Sequence, residues 1–165
     1  MDGQCFGFWK SEGMEVRMCK LGDIIKLKPL LKRWQAEANS FNLDMDIDYF
    51  MVELHNMVSS ETCGVIILTS KKDRPLGFMG LVQASPLSEK NKIMNEHYWY
   101  IEPEHRGGRN SLLMINKALE IAKQMGCTRF SITASRIASD LHDKVCRIYE
   151  RLGFEQYETA FMKVV

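Results

Sequence analysis

Residues 98–113 read YWYIEPEHRGGRNSLL. An aromatic, β-prone run ends at Ile101, Pro103 turns the chain, Arg106 precedes the pair Gly107-Gly108, and Leu112 opens a helical apolar repeat. The stretch therefore predicts a strand, a turn and the start of a long helix. The first N–H groups of a helix lack intrahelical partners, and its dipole places positive charge there, so the turn is built to meet an anion. Two glycines let the backbone approach closely, and Arg106 and Arg109 add charge. The chemistry indicates a phosphate-bearing ligand without specifying which one. The plainer alternative is a glycine pair that only permits a tight turn before a helix.

Outward from this turn the hydrophobic period assigns the rest. Upstream, Gly64 to Thr69, Leu76 to Ser85 and Met94 to Ile101 are strands, joined by the charged turn Lys71 to Pro75 and the turn Ser88 to Lys92, which predicts an antiparallel meander. Before them, residues 14–20 alternate like a half-buried first strand. From Asp23, Ile24, Leu27, Leu31, Trp34 and Ala38 recur at helical spacing, with Pro29 in a first turn or at a kink. An acidic break at Asn42 to Asp48 precedes a second amphipathic helix through Phe50, Leu54 and Met57, capped by Asp46 or Asp48. Downstream, Leu112, Ile115, Leu119 and Ala122 define one apolar helix face, with Ala118 and Met125 beside it and Gly126 as its end. A strand at Arg129 to Ala134, a helix at Leu141 to Leu152 ended by Gly153, and a last strand at Gln156 to Val164 follow. The order β-α-α-β-β-β-α-β-α-β is a mixed α/β arrangement of helices on a central sheet, in one domain over residues 1–165.

Composition narrows the class. With 45% hydrophobic and 26% charged residues, the chain of 165 residues buries a real core and is not disordered. A formal net charge of +1 with no Lys/Arg stripe gives no footprint for nucleic acid. The five cysteines are odd in number and never spaced C-x-x-C, so neither a zinc site nor a disulfide framework is expected, and no metal is. No signal-peptide pattern opens the chain and no apolar run approaches membrane-spanning length, which leads to the expectation of a cytoplasmic protein with no membrane partner.

The run Ile101 to Ser111 resembles motif A of the GNAT acetyltransferase superfamily, Q/R-x-x-G-x-G/A after a strand and a proline turn. Arg147-Ile-Tyr-Glu-Arg-Leu-Gly-Phe154 resembles the superfamily's Y-x-x-x-G-F signature on its last helix. The resemblance covers nearly the whole chain, and the Arg-Gly-Gly-Arg variant is similar to a branch frequent among phage-encoded members. Aligned from Arg106, the motif's glycines fall on Arg109 and Ser111. Ser111 is small enough to be tolerated, whereas Arg109 requires Gly108 to take over the close approach.

The resemblance implies a central, mostly antiparallel, splayed sheet flanked by about four helices. It implies an acetyl-CoA-dependent N-acetyltransferase acting by direct transfer on a primary amine of a protein or small molecule. Trp99, Tyr100 and Ile101 would lie along the pantetheine arm, and Arg106, Gly107, Gly108, Arg109, Asn110, Ser111 and Leu112 would wrap the pyrophosphate. His142 stands where many relatives have a cofactor-contacting asparagine. Tyr149 matches the general acid that protonates the departing thiolate, for which an ordinary phenol pKa near ~10 is suited. The competing reading of Tyr149 is a core aromatic.

For the base, alternation puts Asn95, His97, Trp99 and Ile101 on one face of the strand and Glu96, Tyr98 and Tyr100 on the other. His97 has the right side-chain chemistry near neutrality, and Glu96 replaces it if a bulge shifts the register. His105 reads as an exposed loop residue. The acidic loop with Asp44, Asp46 and Asp48, and the aromatics Phe41, Tyr49 and Phe50, either shape an acceptor pocket for a cationic amine or serve as a solvated helix start and core. A second function class stays open, a catalytically degenerate protein of this fold that retains CoA or contacts a partner protein. Dimers are common in the superfamily, so a homodimer is open too.

Overall fold

The computed structural model describes residues 13–40, 44–85, 88–135, 141–161 and 163. The chain divides into two units, residues 1–132 and 133–165. The first unit is built on a five-stranded sheet in the order β1-β2-β3-β4-β5, formed by Met14–Met18, Cys63–Ser70, Pro75–Ala84, Ile93–Ile101 and Arg129–Ser131. The first four strands pair antiparallel as a meander, and β5 joins β4 in parallel. Strands β2 and β3 are buried along most of their length, as expected for central strands covered on both faces.

One face carries the helices α1 (Ile24–Ser40) and α2 (Ile47–Ser59). Ile24, Leu27, Leu31, Phe50, Leu54 and Met57 form its core with Val65, Ile67 and Phe78 of the sheet, as their spacing predicts. Trp34 is the hub: its ring meets Phe50 at 5.0 Å, Phe78 at 5.3 Å, Tyr100 at 5.9 Å and Tyr98 at 6.2 Å. Burial of the two tyrosines there pushes their phenol pKa values up.

A 3-10 turn at Leu21–Asp23 starts the first helix, which places Pro29 inside α1 rather than in its first turn. The carbonyl it leaves without a donor belongs to Ile25, a residue 66% exposed, so water can satisfy it. Asp46 caps α2 by accepting from the Tyr49 N–H at 3.0 Å. Asp48 lies in that helix's first turn, 3.6 Å from Lys28. Phe41, Asn42 and Leu43 lie outside the described residues.

The other face carries α3 (Gly108–Gln124) over Ile66, Leu68, Met79, Leu81, Met94 and Ile101. Its buried stripe is Met114, Ile115, Ala118, Ile121 and Ala122. The expected face through Leu112 and Leu119 is therefore rotated, and Leu112 is 39% exposed. Ala118 and Ala122 are small and let the helix approach the sheet, so they, not the bulkier leucines, mark the contact line.

In the second unit, α4 (His142–Arg151) is the one regular element among the described residues. The strand expected at Gln156 to Val164 is not formed over residues 156–161 and 163, which join no ladder. Alternating residues alone do not make a strand; a hydrogen-bonded neighbour does.

Candidate active site

The site begins with an open strand edge. β5 pairs with β4 over Ile93, Met94 and Asn95, and no described residue continues that ladder toward Ile101. The Glu102 N–H donates to the Leu76 carbonyl at 2.9 Å and sets the phase of the β3–β4 ladder. Tyr98 and Tyr100 accordingly turn their backbone groups toward β3, and Trp99 and Ile101 turn theirs to the open side. Arg106 Nε meets the Ile101 carbonyl there at 2.7 Å. Trp99 Nε1 is buried with no hydrogen-bond partner among the described residues, a donor whose desolvation costs about 1–3 kcal/mol until an acceptor meets it.

Beyond this edge a 3-10 turn, Pro103–His105, leads to the glycine pair. Gly107 has φ 77° and ψ −178°, a region glycine alone occupies readily, and Gly108 has φ 50°. A Cβ on either would meet nothing within 4 Å, so the space above the turn is open. The Gly107 N–H donates to Ser111 Oγ at 3.2 Å, and Asn110 Nδ2 donates to the His105 carbonyl at 3.0 Å, bracing the turn from within. α3 starts with no capping side chain. An uncapped helix start, positive-φ glycines and clear space fit the phosphates of a nucleotide-type group, and the open β4 edge fits the amides of a pantetheine arm.

A bulge divides β4. Gly80 pairs with Tyr98 while Leu81 pairs with Glu96, so His97 is an extra residue with no opposite number. Simple alternation fails at this point. Glu96 joins the α3 side with Met94, Trp99 and Ile101, and Asn95 moves to the side of Tyr98, opposite the expected assignment. The His97 and Tyr98 rings lie 4.2 Å apart edge to face, which puts neighbours on one side of the sheet rather than on opposite sides. His97 is exposed there.

Of the expected cofactor contacts, Trp99 and Ile101 form this edge, and Arg106, Gly107, Gly108, Arg109, Asn110, Ser111 and Leu112 form the turn and helix start, whereas Tyr100 turns its backbone to β3 and its ring into the α1–α2 core. The guanidinium of Arg106 is committed elsewhere. Nη1 and Nη2 bind the two carboxylate oxygens of Glu37 on α1 at 2.7 and 2.5 Å, and its plane lies over Tyr100 at 5.2 Å. Glu37 holds the Arg106 pKa above its ordinary value. One helical turn earlier, Arg33 reaches Glu102 at 2.9 Å and Glu104 at 2.6 Å. Glu102, only 3% exposed, also meets Arg74 at 3.0 Å, with His105 Nε2 at 3.8 Å. His105 is thus half-buried against a carboxylate and not a free loop residue. Sequence reasoning missed Arg33, Glu37 and Glu102. Their faint signal is the i,i+4 pair Arg33 and Glu37 with charges complementary to Glu102, Glu104 and Arg106.

Tyr149 and His142 belong to the second unit. The Tyr149 hydroxyl donates to the Thr133 carbonyl at 3.4 Å. The helix closes where the N–H groups of Gly153 and Phe154 reach the Glu150 and Tyr149 carbonyls at 3.0 Å, folding Phe154 back to 5.8 Å from the Tyr149 ring. That local return is the physical content of the spacing from Tyr149 to Phe154. His142 Nδ1 sits 3.0 Å from Asp143 Oδ1, with Cys146 Sγ 3.7 Å from its Nε2. Among the described residues no cluster of His, Cys, Asp and Glu could hold a metal ion, and no helix is long and apolar enough to cross a membrane.

The profile of the acetyltransferase (GNAT) family matches residues 30–154. No curated protein sequence matches the chain. Among solved structures, an acetyltransferase of Trypanosoma brucei is 16% identical, with a TM-score of 0.68 over 92% of this chain and 99% of that one. A ribosomal-protein-alanine N-acetyltransferase from Brucella melitensis biovar Abortus 2308 is 12% identical, with a TM-score of 0.70 over 93% and 99%. An aminoglycoside N-acetyltransferase in complex with CoA is 13% identical, with a TM-score of 0.70 over 92% and 94%. At such identities these three share the fold.

Proposed function

This chain belongs to the acetyltransferase (GNAT) family, and from that premise we propose that it transfers an acetyl group directly from acetyl-CoA to a primary amine of a protein or small molecule. The observation that carries the cofactor is the pairing of an open β4 edge at Trp99 and Ile101 with an uncapped glycine turn a few residues on. The edge offers peptide-like hydrogen bonds to the pantetheine amides, and the N–H groups from Gly108 onward face the pyrophosphate. Gly107, Gly108, Asn110 and Ser111 give the turn its shape. Arg109 supplies charge at the helix start, and Leu112 lies one residue beyond it.

In this reading His97 takes the proton from the acceptor amine. A bulge is expected to hand this role to Glu96, but the one present does the reverse, leaving His97 exposed on the α1–α2 side, where the expected acceptor loop lies, and turning Glu96 to the α3 side. Tyr149 gives a proton to the departing thiolate, and His142 hydrogen-bonds the cofactor from the start of α4. Bound acetyl-CoA supplies the activated thioester; the residues supply position and protons. Residues 1–165 act as one acetyltransferase domain.

Calorimetric titration with acetyl-CoA, CoA and ATP tests this. Binding of the first two without ATP, followed by thiol release with a panel of amines, is the expected result. Absence of acetyl-CoA binding would remove the enzymatic reading and leave a partner-contacting protein of the same fold.

A further inference from the structure

We propose that Glu37 is the positioning residue of the glycine turn, holding it in its ligand-ready shape through Arg106; the inference rests on the reading that this turn receives the cofactor's pyrophosphate. Arg106 immediately precedes Gly107, and each of its three guanidinium nitrogens makes a hydrogen bond. Nε donates to the Ile101 carbonyl at 2.7 Å, Nη1 and Nη2 donate to the two Glu37 oxygens at 2.7 and 2.5 Å, and the face lies over Tyr100 at 5.2 Å. Such a planar, doubly hydrogen-bonded pair fixes direction as well as distance, which a lone lysine or a solvated arginine does not.

The consequence for the backbone is local. Arg106 ties the last residue before the turn both to the end of β4 and to α1, so the chain enters Gly107 at a set angle. Arg33, four residues before Glu37, makes the second attachment through Glu102 and Glu104. α1 thus grips the segment 102–106 at two points, with opposite charges on successive turns. Arg106 contributes by holding the turn, and its guanidinium does not need to touch the ligand.

The test uses the full chain as wild type, Glu37→Gln, Glu37→Ala, Arg106→Ala and the Glu37→Ala/Arg106→Ala pair. Amide hydrogen exchange without ligand is read on peptides covering 101–112, with β2 and β3 peptides as the control for global unfolding. Exchange in 101–112 should quicken about tenfold in Glu37→Ala and less in Glu37→Gln, with the control peptides unchanged. Titration with acetyl-CoA should then show Kd rising about 10- to 100-fold in Glu37→Ala, and the double variant no weaker than Arg106→Ala, as for two residues acting as one unit. At saturating acetyl-CoA, kcat of Glu37→Ala should stay within about twofold, which separates positioning from a general loss of structure.

Unchanged exchange in 101–112 would overturn the proposal. So would tighter acetyl-CoA binding by Glu37→Ala, since it would mean that Glu37 competes with the ligand for Arg106. If wild type binds no acetyl-CoA, the cofactor reading falls, and the exchange comparison still decides whether Glu37 holds the turn.

Discussion

A methyl group added to Gly77 would stand 2.8 Å from the Tyr100 carbonyl oxygen, inside contact distance of a backbone that cannot swing aside. Gly77 pairs with Ile101, so the crowding falls on the end of β4 that carries the open edge. Gly77→Ala should cost about 1–3 kcal/mol. At Gly80 the first obstacle is the Met57 Cε methyl at 2.9 Å, the flexible end of a side chain, and Gly80→Ala should cost less. Urea unfolding of both variants checks the order; equal losses would mean that β4 yields as easily as a methionine.

The two turn glycines should respond differently although neither is crowded. Gly107 at φ 77°, ψ −178° sits where other residues are strained, and Gly108 at φ 50° sits where asparagine is tolerated. Gly107→Ala is expected to weaken acetyl-CoA binding about 10-fold or more, and Gly108→Asn only a few-fold. Titration of both variants decides it, and equal affinities would detach the cofactor from this turn.

Tyr149→Phe should lower kcat by about 100-fold with acetyl-CoA affinity nearly unchanged, as for loss of a general acid. The ring can keep its place against Phe154 without the hydroxyl. Full turnover in the variant would take Tyr149 out of the mechanism.

On β4, His97→Gln should lower kcat about 100-fold, the range of a lost general base, and Glu96→Gln should lower it by far less. The bulge motivates the asymmetry, since it leaves the two side chains on opposite sides of the sheet. Steady-state rates with a fixed amine suffice, and the reverse order would make Glu96 the base.

Stability should fall on the acid side through Asp23. Arg17 holds this buried carboxylate at 2.7 and 3.0 Å, and the Lys20 N–H donates to it at 2.9 Å. These contacts keep its pKa well below the usual carboxylate range, the Arg17 hydrogen bond being the main cause. A depressed folded pKa means that the unfolded chain takes up the proton first. The contribution is complete above the ordinary carboxylate pKa of ~4 and is lost as pH drops below it. Asp23→Asn should lose about 1.5–3 kcal/mol at pH 7, the range for hydrogen bonds to a charged group, and flatten this acid limb. Denaturant midpoints from pH 7 to pH 3 measure both effects.

Cys19 predicts the opposite limb. Burial pushes its thiol up to about 12, so it should resist alkylation at pH 8 while half-buried Cys63 and Cys127 react. Because the unfolded thiol ionises first, stability should also decline as pH rises from the ordinary thiol range toward 12. Rapid labelling of Cys19 in the folded protein, read by peptide mass, would contradict its burial.

Much of this protein was determined by sequence alone because the signals are local. The run from Tyr98 to Leu113 holds a β-prone segment, a proline, two glycines and a helical repeat within one window, and each acts on its own neighbours. The core faces of α1 and α2 followed from spacing for the same reason. Tertiary structure decided what depends on partners far away in the chain. The bulge at His97 comes from pairing with Gly80 and Leu81, so no inspection of β4 reveals which way Glu96 faces. The buried stripe of α3 follows closeness to the sheet, which favours Ala118 over Leu119. The hold of Glu37 on Arg106 joins residues 69 positions apart, and charge complementarity at such a distance becomes a contact only after the sheet has brought α1 beside the turn.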